Sequence, residues 1–543
     1  MRKITHFCCY VSSETSQRID DSIVYCHFSE KDEITMKETP TDTFNLEEAT
    51  IAELQAAMSS GQLTARQLVT MYIERIQAID KQGPTIRAIL EINPAVLDIA
   101  TALDQERQER GPRGPLHGIP LLLKDNIATA DGMQTTAGSL ALMGSRPPRD
   151  AFVARKLREA GAIILGKTNL SEWANFRSST SSSGWSGRGG QSLNPYVLDR
   201  SPIGSSSGSA TAIAANLAAA ALGTETDGSI ISPSSANAVV GIKPTVGLTS
   251  RAGVIPIAHS QDTVGPIART VADAAALLGT ITGFDPRDSA TQESVGNYFT
   301  DYTQFLDAHG LHGARIGIAR KVYFDYSPKA NAIIEKAIEQ MRELGAIIID
   351  DADIPTVQLM ADAKGEMTVL QFEFKADLNT YLAELTETPI HSLADIIEFN
   401  NAHAGEELPY FGQEVLLKAQ DTTTLDDPVY LAALSENRRL AREEGIDAVM
   451  DKHQLDALVM PSTSPSWCID LVNGDHATGG STQAAALAGY PAITVPAGFA
   501  FELPVGITFI GRAFSEPTLI KLAYAFEQQT KARRPPRFLP TTP

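Results

Sequence analysis

Twice along this 543-residue chain a helix-length run closes on a glycine and is followed at once by apolar residues. In the first case Asp150 is placed to cap a helix through Lys156 to Ala160, Gly161 ends it, and Ala162-Ile163-Ile164-Leu165 reads as a short buried strand. In the second, Ser327-Pro328 opens a helix that Gly345 closes ahead of Ala346-Ile347-Ile348-Ile349. Helix, glycine, apolar strand predicts a sheet covered by helices. Further strands are expected at 314–319, 457–460, 492–495 and 505–510. Upstream, Thr64 and Gln67 form a capping-box pattern, and Leu68, Tyr72, Ile76 and Ile79 then recur at helical spacing until Gly83-Pro84. Residues 356–451 read as mostly helical and polar, an insertion expected near a substrate cleft.

Length alone, at roughly 150 residues per domain, predicts about three or four domains. No linker divides the chain between Phe44 and the C-terminus, so 44–543 is expected to be one domain. Residues 1–43 are polar and without periodicity, and a loosely ordered extension is expected there. The net charge of −20 argues against a nucleic-acid partner, whose phosphates require basic patches. Three of the four cysteines, Cys8, Cys9 and Cys26, precede the body and only Cys468 lies within it, so neither a disulfide framework nor a zinc spacing can be drawn. With no secretory leader pattern and no long apolar run, a soluble, cytoplasmic protein with no membrane partner is expected.

Two motif matches fail on context. Gly161-Ala162-Ile163-Ile164-Leu165-Gly166-Lys167-Thr168 fits the P-loop pattern, but the residues that must form the phosphate loop are themselves the apolar strand. Gly204-Ser205-Ser206-Ser207-Gly208 fits the nucleophile elbow of an α/β-hydrolase, with Ser206 as nucleophile and His259, His453 or His476 as base. The residues before it, Asn194-Pro195-Tyr196-Val197-Leu198-Asp199-Arg200-Ser201-Pro202, do not read as the strand that motif needs.

Two glycine-flanked serine turns stand out, one at Ser205 and one at Ser229, joined by a single alanine-rich, helix-length span. Amide hydrolysis needs an activated nucleophile, a proton route to the departing amine, and donors aimed at the developing oxyanion. Neither turn contains a histidine, which brings forward Lys124 at the end of Gly118-Ile119-Pro120-Leu121-Leu122-Leu123. A lysine with its ordinary pKa of about 10.4 is almost wholly protonated at neutral pH, and burial is what would free it. The turn Thr226-Asp227-Gly228-Ser229 offers successive backbone N–H groups beside a hydroxyl, a suitable oxyanion nest. Taken singly, Lys124 also reads as a snorkelling lysine and either serine as an ordinary loop residue.

Together these segments resemble the amidase signature family over about 46–530. The resemblance is most specific in 201–267, through Gly204-Ser205-Ser206-Ser207-Gly208-Ser209-Ala210, the segment 223–229 and Gly241-Ile242-Lys243-Pro244-Thr245-Val246-Gly247. It implies an α/β fold, a single large domain with a mixed central β-sheet covered by helices on both faces. It also implies a Ser–Ser–Lys triad: Ser229 the nucleophile that forms an acyl-enzyme, Ser205 on a cis peptide bond as relay, and Lys124 as ultimate base. The N–H groups of Thr226, Asp227, Gly228 and Ser229 would form the oxyanion hole, with no metal or cofactor.

The chain departs from the family's frequent Asp-x-Gly-Gly-Ser-Ile-Arg pattern: the arginine position is Ile231, so Glu225 must find another partner. Asp227 adds a carboxylate that could repel a carboxylate product or orient a substrate amide. With 185–191 and Ser260-Gln261-Asp262-Thr263, the chain is similar to the bacterial peptide amidase branch, which implies a peptide C-terminal amide as substrate, Asp227 and Trp185 as substrate contacts, and no obligatory partner chain. The alternatives are a hydrolase of small aryl, alkyl or fatty-acid amides and a non-catalytic amidase-like binding subunit.

Overall fold

The segment Pro120–Lys124 forms a strand between two parallel neighbours, Ile163–Thr168 on one side and Ala220–Glu225 on the other. Strands that run parallel end on the same edge of a sheet, so Lys124, Thr168 and Glu225 are delivered to one edge. The computed structural model describes residues 44–543; the extension expected at 1–43 lies outside the described residues.

In chain order the strands are β1 (Ile89–Ile92), β2 (Pro120–Lys124), β3 (Ile163–Thr168), β4 (Trp185–Ser186), β5 (Gly190–Gln191), β6 (Ala220–Glu225), β7 (Val240–Lys243), β8 (Thr263–Ala268), β9 (Arg315–Ile318), β10 (Ile347–Ile349), β11 (Ala457–Pro461), β12 (Ala492–Ala500) and β13 (Leu503–Ile510). Eleven of them form one mixed sheet in the order β1-β3-β2-β6-β8-β7-β12-β13-β11-β9-β10, and β4 and β5 pair as a separate hairpin. Side chains on a strand alternate between faces, yet every residue of β2, β3, β6, β8 and β13 is buried. Both faces of the sheet are therefore covered. Residues 45–543 form one compact unit, which replaces the three or four domains that length alone predicts.

Both helix, glycine, strand units are present, as Phe152–Glu159 before β3 and Pro328–Glu343 before β10. The cap differs in the first. Asp150 does not cap that helix: its carboxylate accepts from the Ala130 amide at 2.7 Å and from Arg158 Nε at 3.0 Å, a charge-assisted bond that outcompetes an N-terminal amide. The Thr64 and Gln67 capping box forms as expected. The P-loop look-alike is strand β3, and its Lys167 donates to the Ile127 carbonyl and to Thr135 Oγ1, both at 2.7 Å.

The alanine-rich span between the two serine turns is not one helix. It divides into the helix Ser207–Ala214 and strand β6, with a reversal between them where Asn216 takes a φ of 58°. Asparagine tolerates that left-handed conformation, and here its side chain is fixed by two 2.8 Å bonds to Glu48.

The segment expected to be helical is so. It contains Val357–Asp362, Gly365–Ala383, Leu393–Ala402, Ala404–Glu407, Glu414–Gln420, Pro428–Ala441 and Asp447–His453. Phe374, Leu378, Leu382, Leu393, Ile396 and Leu416 from this region share one apolar cluster with Trp173, Phe176, Ile255 and Ile257, which seats it beside the edge that carries Lys124. Among the described residues no helix is long and apolar enough to cross a membrane.

Candidate active site

Lys124 is wholly buried at the end of β2, and its ammonium donates to Ser205 Oγ at 2.7 Å, Thr224 Oγ1 at 2.8 Å and the Thr224 carbonyl at 3.2 Å. Among the described residues no carboxylate lies within ion-pair range of it, and burial pulls its pKa down to about 7 against the weaker upward pull of Asp262 and Glu225. Thr224 Oγ1 is shared, because Asn126 Nδ2 also donates to it at 3.0 Å.

Three hydrogen bonds made by Ser206 tie its turn to the Ser229 turn and to strand β6. The Ser206 amide donates to the Ser229 carbonyl at 3.1 Å, and Ser206 Oγ bridges the Thr224 carbonyl at 3.1 Å and the Thr224 amide at 3.2 Å. The Gly204–Ser205 peptide bond is cis. Ser206 thus has its hydroxyl occupied in structure-forming bonds and follows no strand, which disfavours the elbow reading. Of the histidines nominated for that reading, His259 Nδ1 lies 2.9 Å from Asp377, His476 Nε2 lies 3.0 Å from Asp470, and His453 ends the helix Asp447–His453, where its carbonyl accepts from Arg315 at 2.8 Å.

From Thr226 to Ser229 the chain turns at Gly228, whose φ of 81° puts it in the left-handed region. None of the four amides in this turn donates to a protein acceptor among the described residues, leaving a concave row of free N–H groups. Ser229 follows, buried to 8% exposure, and its hydroxyl makes no hydrogen bond among the described residues. The structure therefore brings Lys124 and Ser205 into direct contact and joins Ser205 to Ser229 through the neighbouring backbone.

Glu225 finds the partner that the absent arginine would have supplied. Its Oε2 accepts from the Ile230 amide at 2.6 Å and the Ile231 amide at 2.9 Å, at the start of the helix Ile231–Ala236. Burial raises its pKa, and the Lys243 ammonium and those amides oppose the rise. Asp262 braces the turn from the other side: Oδ1 accepts from Thr226 Oγ1 at 2.5 Å, and Oδ2 from the amides of Ile257 and Ala258. Burial pushes its pKa up to about 6.

Trp185 lies on the β4–β5 hairpin at 5% exposure, edge-on to Tyr410 and Phe411 and 5.1 Å from the Arg177 guanidinium carbon. Arg177, itself wholly enclosed, donates to Glu172 Oε1 at 2.5 Å and to the Glu407 carbonyl at 2.6 Å. Sequence reasoning passed over Thr224, Asn126 and Glu366. Glu366, on the helix Gly365–Ala383, lies against Asp227 and accepts from Gln261 Nε2 at 3.1 Å and Gln483 Nε2 at 2.9 Å. Nothing local in the sequence marks any of the three, since each matters through a partner distant along the chain.

His259, Glu373 and Asp377 are close enough to hold a cation. The imidazole already uses both ring nitrogens there, facing Asp377 at 2.9 Å and Glu373 at 3.5 Å.

Comparison with known proteins identifies the family. The family model described as Amidase matches residues 67–520. A probable amidase of Arabidopsis thaliana is 46% identical over 92% of this chain and 93% of its own length. A glutamyl-tRNA(Gln) amidotransferase component of Chloroflexus aurantiacus is 36% identical over 90% of this chain and 97% of its own. Among solved structures, the native peptide amidase of Stenotrophomonas maltophilia superposes with a TM-score of 0.87 at 52% identity, covering 91% of this chain and 99% of that one. With the fold, the length of the match and the identity in agreement, the chain belongs to the amidase family and is a carbon–nitrogen hydrolase of the amidase signature fold.

Proposed function

We propose that the chain hydrolyses a primary carboxamide to a carboxylate and ammonia through Ser229, Ser205 and Lys124, and that its substrates are peptides ending in a C-terminal amide. The observation that carries the reading is a buried lysine, without a carboxylate partner among the described residues, bonded to Ser205 Oγ at 2.7 Å. With its pKa near 7, about half the Lys124 side chains are neutral at neutral pH, enough for a general base.

Neutral Lys124 takes the proton of Ser205, which takes that of Ser229 as Ser229 Oγ bonds to the amide carbon. The hydroxyl link from Ser205 to Ser229 belongs to the substrate-bound state of this proposal, since such bonds commonly tighten there. The carbonyl oxygen gains the charge and is received by the free amides of 226–229. The proton returns by the same route to the nitrogen, ammonia leaves, and water repeats the sequence on the ester. This chemistry calls for no metal or cofactor and no partner chain. The peptide substrate is supported by the similarity to peptide amidase over nearly the whole chain. We further propose that the helices of 357–453 wall the substrate cleft, with Asp227 and Trp185 on the substrate side. The contact of Glu366 with Asp227 and the 2.9 Å bond from the Ser260 amide to Glu373 support that placement.

The test is ammonia release from a dipeptide amide, with indole-3-acetamide as the small-amide comparison. Wild-type protein should turn over the dipeptide amide faster, and Ser229→Ala should be inactive on both. A fluorophosphonate should label Ser229. Labelling at Ser206 instead would favour the elbow mechanism, and full turnover by Ser229→Ala would falsify the triad.

A further inference from the structure

Three acidic residues of the helix Gly365–Ala383 share one face: Glu366, Glu373 and Asp377, spaced by seven and then four positions. That face meets three successive residues of the loop leading into β8, one for one. Asp377 Oδ2 accepts from the His259 amide at 3.0 Å and faces His259 Nδ1 at 2.9 Å, Glu373 Oε2 accepts from the Ser260 amide at 2.9 Å, and Glu366 Oε1 accepts from Gln261 Nε2 at 3.1 Å. Bonds to ionised carboxylates are the strong kind, and two of these end on main-chain amides, so they fix the path of the loop as well as its side chains. Glu373 is wholly buried, and its other oxygen accepts from the Tyr430 hydroxyl at 2.8 Å, which braces the contact from the helix Pro428–Ala441. From the opposite side Arg251, paired with Asp288, donates to the His259 carbonyl.

The next residue of the loop is Asp262. Its carboxylate gathers the Ile257 and Ala258 amides on Oδ2 and the Thr226 hydroxyl on Oδ1 at 2.5 Å. Thr226 opens the row of free amides at 226–229, and Gln261 Nε2 also faces its carbonyl at 3.5 Å. The loop is therefore a spacer, gripped by the helix on one side and bonded to that turn on the other.

Resting on the Ser229 reading above, we propose that Asp377 and Glu373 are positioning residues: by capping the loop amides they place Asp262, and through Asp262 they set the aim of the Thr226 end of the oxyanion turn. Donors to an oxyanion act through their alignment with the position where the charge develops, so a turn displaced by a fraction of an ångström loses part of their effect. A helix that only bounded the cleft would govern how substrate binds. This one also governs how fast bound substrate reacts.

The test is kcat and KM on a dipeptide amide for wild type, Asp377→Ala, Asp377→Asn, Thr226→Val and the double variant D377A/T226V. The Asp377 side chain is 22% exposed, so water can replace it and D377A should fold. D377A should lower kcat about fivefold or more, a part of what a lost oxyanion donor costs, with KM changed far less. Both His259 bonds end on the same oxygen, which an asparagine can supply, so D377N should keep most of the wild-type kcat. T226V cuts the link between Asp262 and the turn, and D377A added to it should lower kcat less than twofold further, because residues acting along one chain of contacts do not contribute independently. Losses that multiply in D377A/T226V overturn the proposal, as does a D377A variant that changes KM alone. Should D377A not yield folded protein, Gln261→Met breaks the Glu366 tie from the loop side and enters the same cycle with T226V. Fluorophosphonate labelling of wild type reports on Ser229 separately: absence of label there counts against the nucleophile, whereas a labelled wild type with multiplying losses counts against the clamp alone.

Discussion

Lys124 Nζ and Ser205 Oγ lie 2.7 Å apart in a wholly buried setting that offers the ammonium hydroxyl and carbonyl oxygens but no carboxylate. A carboxylate there would hold the lysine charged; its absence among the described residues lets burial bring the pKa down to about 7. A base must be deprotonated to act, so kcat/KM should rise as pH rises through about 7. Replacing Lys124 by Met should lower kcat/KM by about 10²–10⁴, the usual worth of a general base, and Arg should fare no better because it stays protonated. Initial rates across pH check both. Thermal melts at pH 6 separate lost chemistry from lost fold: the buried ammonium costs the native state most below about pH 7, so Lys124→Met should be at least as stable there.

Thr224 Oγ1 accepts from Lys124 at 2.8 Å and from Asn126 at 3.0 Å. Thr224→Val keeps the shape and removes the oxygen, leaving buried donors short of a partner at a cost of about 1–3 kcal/mol. We expect kcat to fall about tenfold or more with KM little changed, where tenfold corresponds to about 1.4 kcal/mol. Thr224→Ser restores the oxygen and should restore kcat. A fall in KM alone, without loss of kcat, would contradict this assignment.

Arg177 is enclosed between Glu172, the Glu407 carbonyl and the face of Phe411, 4.1 Å from its guanidinium carbon. Removing one member of a buried ion pair leaves the other uncompensated. Arg177→Met should cost about 3–5 kcal/mol, read as a shift in the urea midpoint. Adding Glu172→Gln to that variant should recover part of the loss.

Gly208 is needed for close approach, although its φ is unremarkable. A methyl group there would sit 2.4 Å from the Ala88 carbonyl oxygen and within 2.6 Å of the Asn169 oxygen and nitrogen, all backbone atoms. Gly208→Ala should destabilise by about 1–3 kcal/mol or more, because backbone cannot swing aside as a side chain can. Melting temperature and soluble yield measure it.

The sheet is legible where strands follow ordinary composition, and Leu121-Leu122-Leu123 announces β2 with Lys124 at its end. It is not legible at β8, whose Gly265 and Pro266 argue against a strand. Gly265 is there because a side chain would come within 2.0 Å of the Ile242 carbonyl oxygen, so the position answers to its neighbour β7 and not to propensity. The span after Ser209 reads as one alanine-rich, helix-length stretch because alanine suits both the helix Ser207–Ala214 and the buried faces of β6. The Lys124, Ser205 and Ser229 segments carry enough specific residues to point to one another. The contact of Asp227 with Glu366 leaves no such trace, since a glutamate on a polar helix is ordinary until the fold shows what it faces.

Ser206 ties Thr224 by both its amide and its carbonyl while its own amide holds the Ser229 carbonyl. That stitching makes the Ser205 turn, the Thr224 hydroxyl bonded to Lys124 and the Ser229 turn a single cassette seated on the sheet. Under the function proposed above, a change to longer, shorter or bulkier amides would fall to the helices of 357–453 and leave this cassette untouched.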